Sequence, residues 1–214
     1  MQQTRIQPQI TAQQIIDHIQ PQLLSAKYHA SRLETLAKRP LAGDIYLCWY
    51  SDLSDIPLPS PIPQDSMPSA PITLDLMENL GLNLDDLEEL GKDHSACVCR
   101  PMGNVLHQFC PTEYDDEDAD VAPGMMVVTN AASWRGACAI LDPRIQQQLD
   151  SVYTGGYYVI LSSIHETLTV PKDITDTDHM ISIIASVNEN VVSMEDRLSD
   201  EVYEIRDGNL MVVV

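Results

Sequence analysis

The sequence predicts an α+β fold: a mixed or antiparallel sheet, helices packed mainly on one side of it, and a helical N-terminal arm. Three observations predict it. From residue 125 onward, β-branched and aromatic runs alternate with amphipathic stretches in the order strand, strand, helix, strand, helix, strand, strand. The first forty residues instead space their apolar side chains as a helix does. Hydrophobic residues are 44% of the 214 positions but aromatics only 5%, so the core they build is mainly aliphatic.

The elements follow in chain order. In "TAQQIIDHIQPQLLSAKYHASRLETLAK" (11–38), Ile15, Ile16, Ile19, Leu23 and Leu24 recur mostly three and four apart, and Leu33 and Leu36 continue the pattern. That predicts a helix capped by Thr11 and kinked or split at Pro21, giving a helical segment over 1–40 and an α+β domain over 41–214. "DIYLCWYSDL" (44–53) reads as a strand. "IPLPSPIPQDSMPSAP" (56–71) has six prolines in sixteen residues, a stiff extended connection without the Arg or Lys of a polyproline ligand. "ITLDLMENLGLNLDDLEELGKDH" (72–94) predicts two helices broken at Gly81, with the acids of "DDLEEL" at the second N-terminus. "CPTEYDDEDADVAPG" (110–124) is an acidic loop. "MMVVTN" and "GACAILD" read as strands. "PRIQQQLDSVYTGG" reads as a helix opened by Pro143 and ended by Gly155. "YYVILSSIHETLTVP" (157–171) is one strand, or two separated by a bend. "TDTDHMISIIASVNEN" is a helix with Met180, Ile183, Ile184 and Val187 on one face, and "EVYEI" and "LMVVV" form a hairpin about Asp207-Gly208.

Charge excludes some classes of function. The net charge is −20, and it is uneven: −1 over residues 1–70, −11 over 71–124 and −8 over 125–214. Such a surface repels phosphate, so the chain is expected to bind neither nucleic acid directly nor an anionic membrane. It suits a protein partner, above all a basic one. Five cysteines at no disulfide-framework spacing, a polar start without an apolar signal region and no run of 18 apolar residues predict a cytoplasmic protein.

Three constellations could carry chemistry. The first lies within 157–171, where Ser163, His165 and Glu166 interrupt an apolar run. On a strand Ser163 and His165 share a face, as a nucleophile and base would. The stretch has neither the second histidine of a zinc protease nor the glycines of a nucleophile elbow. Its alternative is a fold feature: a histidine hydrogen-bonded where the strand bends, with serines satisfying the backbone. The second is "HSACVCRPMGNVLHQFC", where His94, Cys97, Cys99, His107 and Cys110 are zinc-competent donors at spacings unlike a finger, and the alternation of "ACVCR" instead suits core cysteines. The third is the run Glu113, Asp115, Asp116, Glu117, Asp118 and Asp120. It lacks the glycine and spacing of a calcium loop, leaving a solvated loop or a partner-binding surface that imitates phosphates. No motif calls for a cofactor.

The stretches "VVTNAASWRGACAILDPRIQQQLDSVYTGGYYVILSSIHETLTVPKD" and "VNENVVSMEDRLSDEVYEI" resemble the domain-of-unknown-function family numbered 5688 of anaerobic, mostly gut, bacteria. The matching motifs are Val128-Thr129-Asn130, Gly136-Ala137, Leu161 to Glu166, Val187-Asn188 and Leu198-Ser199-Asp200 with Tyr203. "DIYLCWY" and the helix pair extend the resemblance upstream, while residues 95–124 depart from it. The resemblance implies a fold and no mechanism; members resemble accessory genes of mobile elements. Together these readings predict a non-enzymatic binding or accessory protein with an acidic interaction surface. The alternatives are an acidic nucleic-acid mimic that blocks a host defence nuclease, and a small hydrolase using Ser163 and His165.

Overall fold

The computed structural model describes residues 10–57, 67–93, 96–109, 124–174 and 177–213. Within them the chain folds as α+β, with two sheets whose strand pairings are all antiparallel.

Thr11 caps α1 (Ala12–Ile16) reciprocally: its hydroxyl accepts the Gln14 N–H, and the Gln14 side chain accepts the Thr11 N–H. The expected helix goes no further. Ile19–Ser25 is a strand, β1, and helix returns only at α2 (Ala26–Leu33). The apolar spacing misled because β1 is covered on both faces; Ile19, Gln22, Leu23, Leu24 and Ser25 are all fully buried. Pro21 is tolerated because, among the described residues, β1 is an edge strand paired only with β3 (Ile45–Asp52). The other edge of β3 receives β2 (Lys38–Pro40) and β4 (Ser69–Pro71). β4 is the far end of the proline-rich stretch, whose residues 58–66 lie outside the described part. The helix pair forms as its sequence implies. α3 (Leu74–Asn79) and α4 (Leu84–Asp93) flank Gly81 at φ +71°, and Arg39 bridges to Asp85 and Glu88 on α4, each at 2.6 Å.

The larger sheet has the order β10-β9-β7-β8-β6-β5. Its strands are β5 (Cys97–Pro101), β6 (Met126–Asn130), β7 (Tyr157–Ile160), β8 (Thr167–Pro171), β9 (Val202–Arg206) and β10 (Asn209–Val212). The helices of this half are α5 (Met102–Phe109), α6 (Pro143–Val152) and α7 (Thr177–Asn190). One expected strand is absent: Gly136–Leu141 is a 3₁₀ helix. Its first N–H groups, at Gly136 and Ala137, go to the carbonyls of His165 and Ile164, and Asp142 immediately caps α6, so no ladder can start. The stretch 157–171 is not one strand. β7 and β8 pair with each other, Ile160 opposite Leu168, and residues 161–166 are the loop of that hairpin. Ser163 and His165 therefore do not sit on a strand face.

One apolar cluster joins the two sheets. It contains Ile19, Leu24 and Trp49 from the first and Val128, Val159 and Tyr203 from the second, so the described part of 1–40 shares a core with the rest. Among the described residues no helix is long and apolar enough to cross a membrane.

Candidate functional site

The hairpin loop 161–166 carries backbone partners on both sides. On one side Ile164 N–H donates to the Asp196 carbonyl, Leu198 N–H to Ser162 and Ser199 N–H to Leu161. On the other, the His165 carbonyl accepts the Gly136 N–H at 2.9 Å and the Thr129 hydroxyl at 2.7 Å. The polar knot in the apolar run is thus a seam holding two further loops.

Local chemistry shapes the first of those loops. Asn130, ending β6, clamps Trp134 through both ends of its amide: Oδ1 accepts the Trp134 N–H and Nδ2 donates to its carbonyl. Ser133 and Arg135 both take left-handed φ of 52°. Gly136 follows because a Cβ there would lie 2.3 Å from Thr129 Oγ1 and 2.4 Å from the Asn130 nitrogen. Arg135 lays its guanidinium against Trp134 and Tyr50, 4.1 and 4.9 Å from the ring centroids, and burial lowers its pKa. The second loop follows α7. Arg197 donates to the carbonyls of Val192 and Glu189 at the end of that helix, and Ser193 donates to Asp196 Oδ2 at 2.7 Å.

His165 joins the two loops. Its Nδ1 accepts the Arg135 N–H at 3.1 Å, and its Nε2 lies 3.3 Å from Asp196 Oδ1. These partners assign the ring hydrogen to Nε2. Ser163 is buried; its hydroxyl accepts the His165 N–H at 3.0 Å and lies near enough to the Glu166 carboxyl to lower its pKa. Burial raises the Glu166 pKa, against smaller lowering by His165 and Ser163. The structure therefore brings Ser163, His165 and Glu166 together, but the hydroxyl and both ring nitrogens are engaged with other groups rather than with each other. The geometry is that of a brace rather than of a nucleophile with its base.

Around this brace lies an open groove of about 380 Å³. It is lined by Ser163, His165 and Glu166 of the hairpin loop, by Ser133 and Trp134 after β6, and by Val191, Val192, Ser193 and Asp196 after α7. Val191 is 77% exposed, and Met194 beside it 68%. Asp196 carried no sequence signal; only the fold brings it to His165.

The loop after α7 is also tied to α2. His29 is buried; its Nδ1 accepts the Ser25 N–H, its Nε2 meets the Glu195 carbonyl at 2.9 Å, and burial lowers its pKa. Asp200 accepts Lys27, Tyr28 and Asn188 at 2.6 to 2.7 Å. Burial alone would raise the Asp200 pKa, but those three donors hold it below the ordinary value.

The remaining candidates are placed elsewhere or not at all. Cys97 and Cys99 on β5 are half-buried against the core, and the Cys97 thiol, near Asp142, is pushed up to about 12, chiefly by burial. His94, Cys110 and the acidic run Glu113, Asp115, Asp116, Glu117, Asp118 and Asp120 lie outside the described residues. So does the side chain of His107, although its backbone is in α5. Among the described residues no three His, Cys, Asp or Glu side chains gather as a metal site.

The molecule is thus an α+β protein whose loops meet at an acidic, aromatic-lined groove. A family model, that of a family of unknown function (DUF5688), matches residues 2–206, and the chain belongs to that family. The match includes the half before residue 125, where the motifs were sparser. Comparison with curated proteins and with solved structures found no match.

Proposed function

We propose that this is a non-enzymatic binding protein of the cytoplasm whose groove receives a basic segment of a protein partner. The observation that carries this reading is the meeting of Glu166 and Asp196 with Trp134 and the exposed Val191 in one concavity. Carboxylates offer charge to a cation, and the apolar lining suits the stem of a long cationic side chain. The engagement of both His165 nitrogens and the burial of Ser163 favour recognition over hydrolysis. The net charge of −20 favours the same partner by long-range attraction. Unpaired Cys48, Cys97, Cys99 and Cys138 suit a reducing compartment.

The test is calorimetric titration, at low ionic strength, of a short peptide alternating Arg, Lys and Gly. Binding to the wild type that is lost in the Glu166→Gln, Asp196→Asn double variant supports the reading. Binding that survives unchanged in that variant is diffuse attraction to an acidic surface and overturns it, as does absence of binding.

A further inference from the structure

We propose that the groove selects a guanidinium, so that the partner's inserted side chain is arginine rather than lysine; this rests on the basic-partner reading above. The groove has three chemically distinct surfaces, and arginine matches each. Its volume of about 380 Å³ falls near the lower end of small-ligand pockets, roughly 300–1,000 Å³, which suits one long side chain and its attendant waters.

The first surface is the pair of carboxyl groups. Glu166 enters from the hairpin loop and Asp196 from the loop after α7, so they approach from two elements. Asp196 already serves His165 with one oxygen and Ser193 with the other. Each oxygen has a second lone pair to offer. A planar guanidinium presents five donors in a fixed fork and can address two carboxylates at once, whereas an ammonium is a compact point charge that holds its water more firmly. Glu166 is also a desolvated carboxyl beside a histidine whose nitrogens are already used, so an arriving cation completes its charge balance.

The second surface is aromatic. Guanidinium planes stack on indole faces and ammonium groups do so less well. This chain uses that chemistry at the same residue: the Arg135 guanidinium carbon sits 4.1 Å from the Trp134 ring centroid. Among the described residues Arg135 and Arg197 stand beside the groove, but neither serves its carboxylates: Arg135 lies against Trp134 and Tyr50, and Arg197 donates to the carbonyls of Val192 and Glu189. The third surface is the apolar pair Val191 and Val192, against which a three-carbon stem packs while its head reaches the carboxylates.

The probes are N-acetyl-arginine methylamide and its lysine and citrulline counterparts, titrated separately into the full chain at low ionic strength and followed by amide and indole NMR shifts. The two indole N–H signals separate Trp134 from the fully buried Trp49. The expected result is saturable shifts of the Trp134 indole and of the 163–166 and 191–196 amides with arginine. Affinity should be about five- to tenfold weaker with lysine, and citrulline should give no saturable shift. Glu166→Gln should bring the arginine affinity down by a similar factor, and that isosteric change leaves the fold's contacts in place. Equal affinity for arginine and lysine at the groove overturns the selectivity while leaving the basic-partner reading standing. Shifts from neither cation at the groove overturn both.

Discussion

Gly136 shows how one atom can fix a site. A methyl at its α-carbon would enter the space of Thr129 Oγ1 and the Asn130 nitrogen, at 2.3 and 2.4 Å, and backbone cannot yield as a flexible side-chain tip can. Gly136→Ala is therefore expected to cost about 1–3 kcal/mol by overpacking, read as a lower urea midpoint with an unchanged slope. Glu166 is the opposite case. Burial holds its pKa above the ordinary carboxyl value, so ionising it at neutral pH opposes folding. Glu166→Gln keeps the shape of the side chain and removes the charge, so Tm at pH 7 should rise even as cation binding weakens. A fall in Tm would mean that the carboxylate is balanced by an attraction stronger than its desolvation.

The hairpin loop and the loop after α7 are stable as a pair. His165 contributes one bond to each neighbour, to the Arg135 N–H and to Asp196, and it is only a quarter exposed. His165→Ala should cost about 1–2 kcal/mol, with faster hydrogen exchange at the Arg135 amide than at the β7 amides. Unchanged exchange at Arg135 would show that the turn stands without the ring. The sequence made 157–171 legible as strand material interrupted by polar residues, because β7 and β8 have the alternation and β-branching of strands. It did not show that the interruption reverses the chain, since the loop has no Gly, Pro or Asn to mark a turn. Its conformation comes from partners remote in sequence, at residues 129, 135–137 and 196–199. In the β9–β10 hairpin, Asp207 and Gly208 take φ of 52° and 78°, and the turn residues alone announced it.

Across the whole molecule, Lys27, Tyr28 and His29 tie α2 to the loop after α7. Asp200 is the hub: removing it releases the exposed Lys27 to water, takes the acceptor from the part-buried Tyr28 hydroxyl and leaves the buried Asn188 amide with Ser199 as its acceptor. Asp200→Ala should cost about 1–3 kcal/mol in global stability, measured by denaturant unfolding. His29 makes the same junction sensitive to acid. Its folded pKa lies below 6.5, so below that value the unfolded chain binds more protons than the folded one. Stability should accordingly fall as pH drops through about 6.5 and stop falling, for this group, below the depressed folded value. Charging the ring also requires Nδ1 to surrender the Ser25 N–H, with Arg32 opposing and Asp196 favouring the charge. His29→Gln, which keeps a donor for Glu195, should flatten the dependence of Tm between pH 7.5 and 5.5 (values bracketing the ordinary histidine range). An undiminished slope in that variant would place the acid sensitivity elsewhere. Glu166 works in the other direction at lower pH, since protonating it relieves a burial cost.

The α+β class, β3, the helix pair about Gly81, α6 behind Pro143, the terminal hairpin and the family were all legible in the amino-acid sequence. These follow from local rules: side-chain periodicity, caps, and backbone angles that few residues accept. Tertiary structure decided the rest. It turned 19–25 from expected helix to strand, because burial on both faces erases the difference between the two periodicities. It made 136–141 a 3₁₀ helix, because Ile164 and His165 take its first hydrogens. It also assembled the groove, because Asp196 and Trp134 reach His165 only once the loops have docked, and a contact between residues far apart in the chain leaves no periodic trace in either segment.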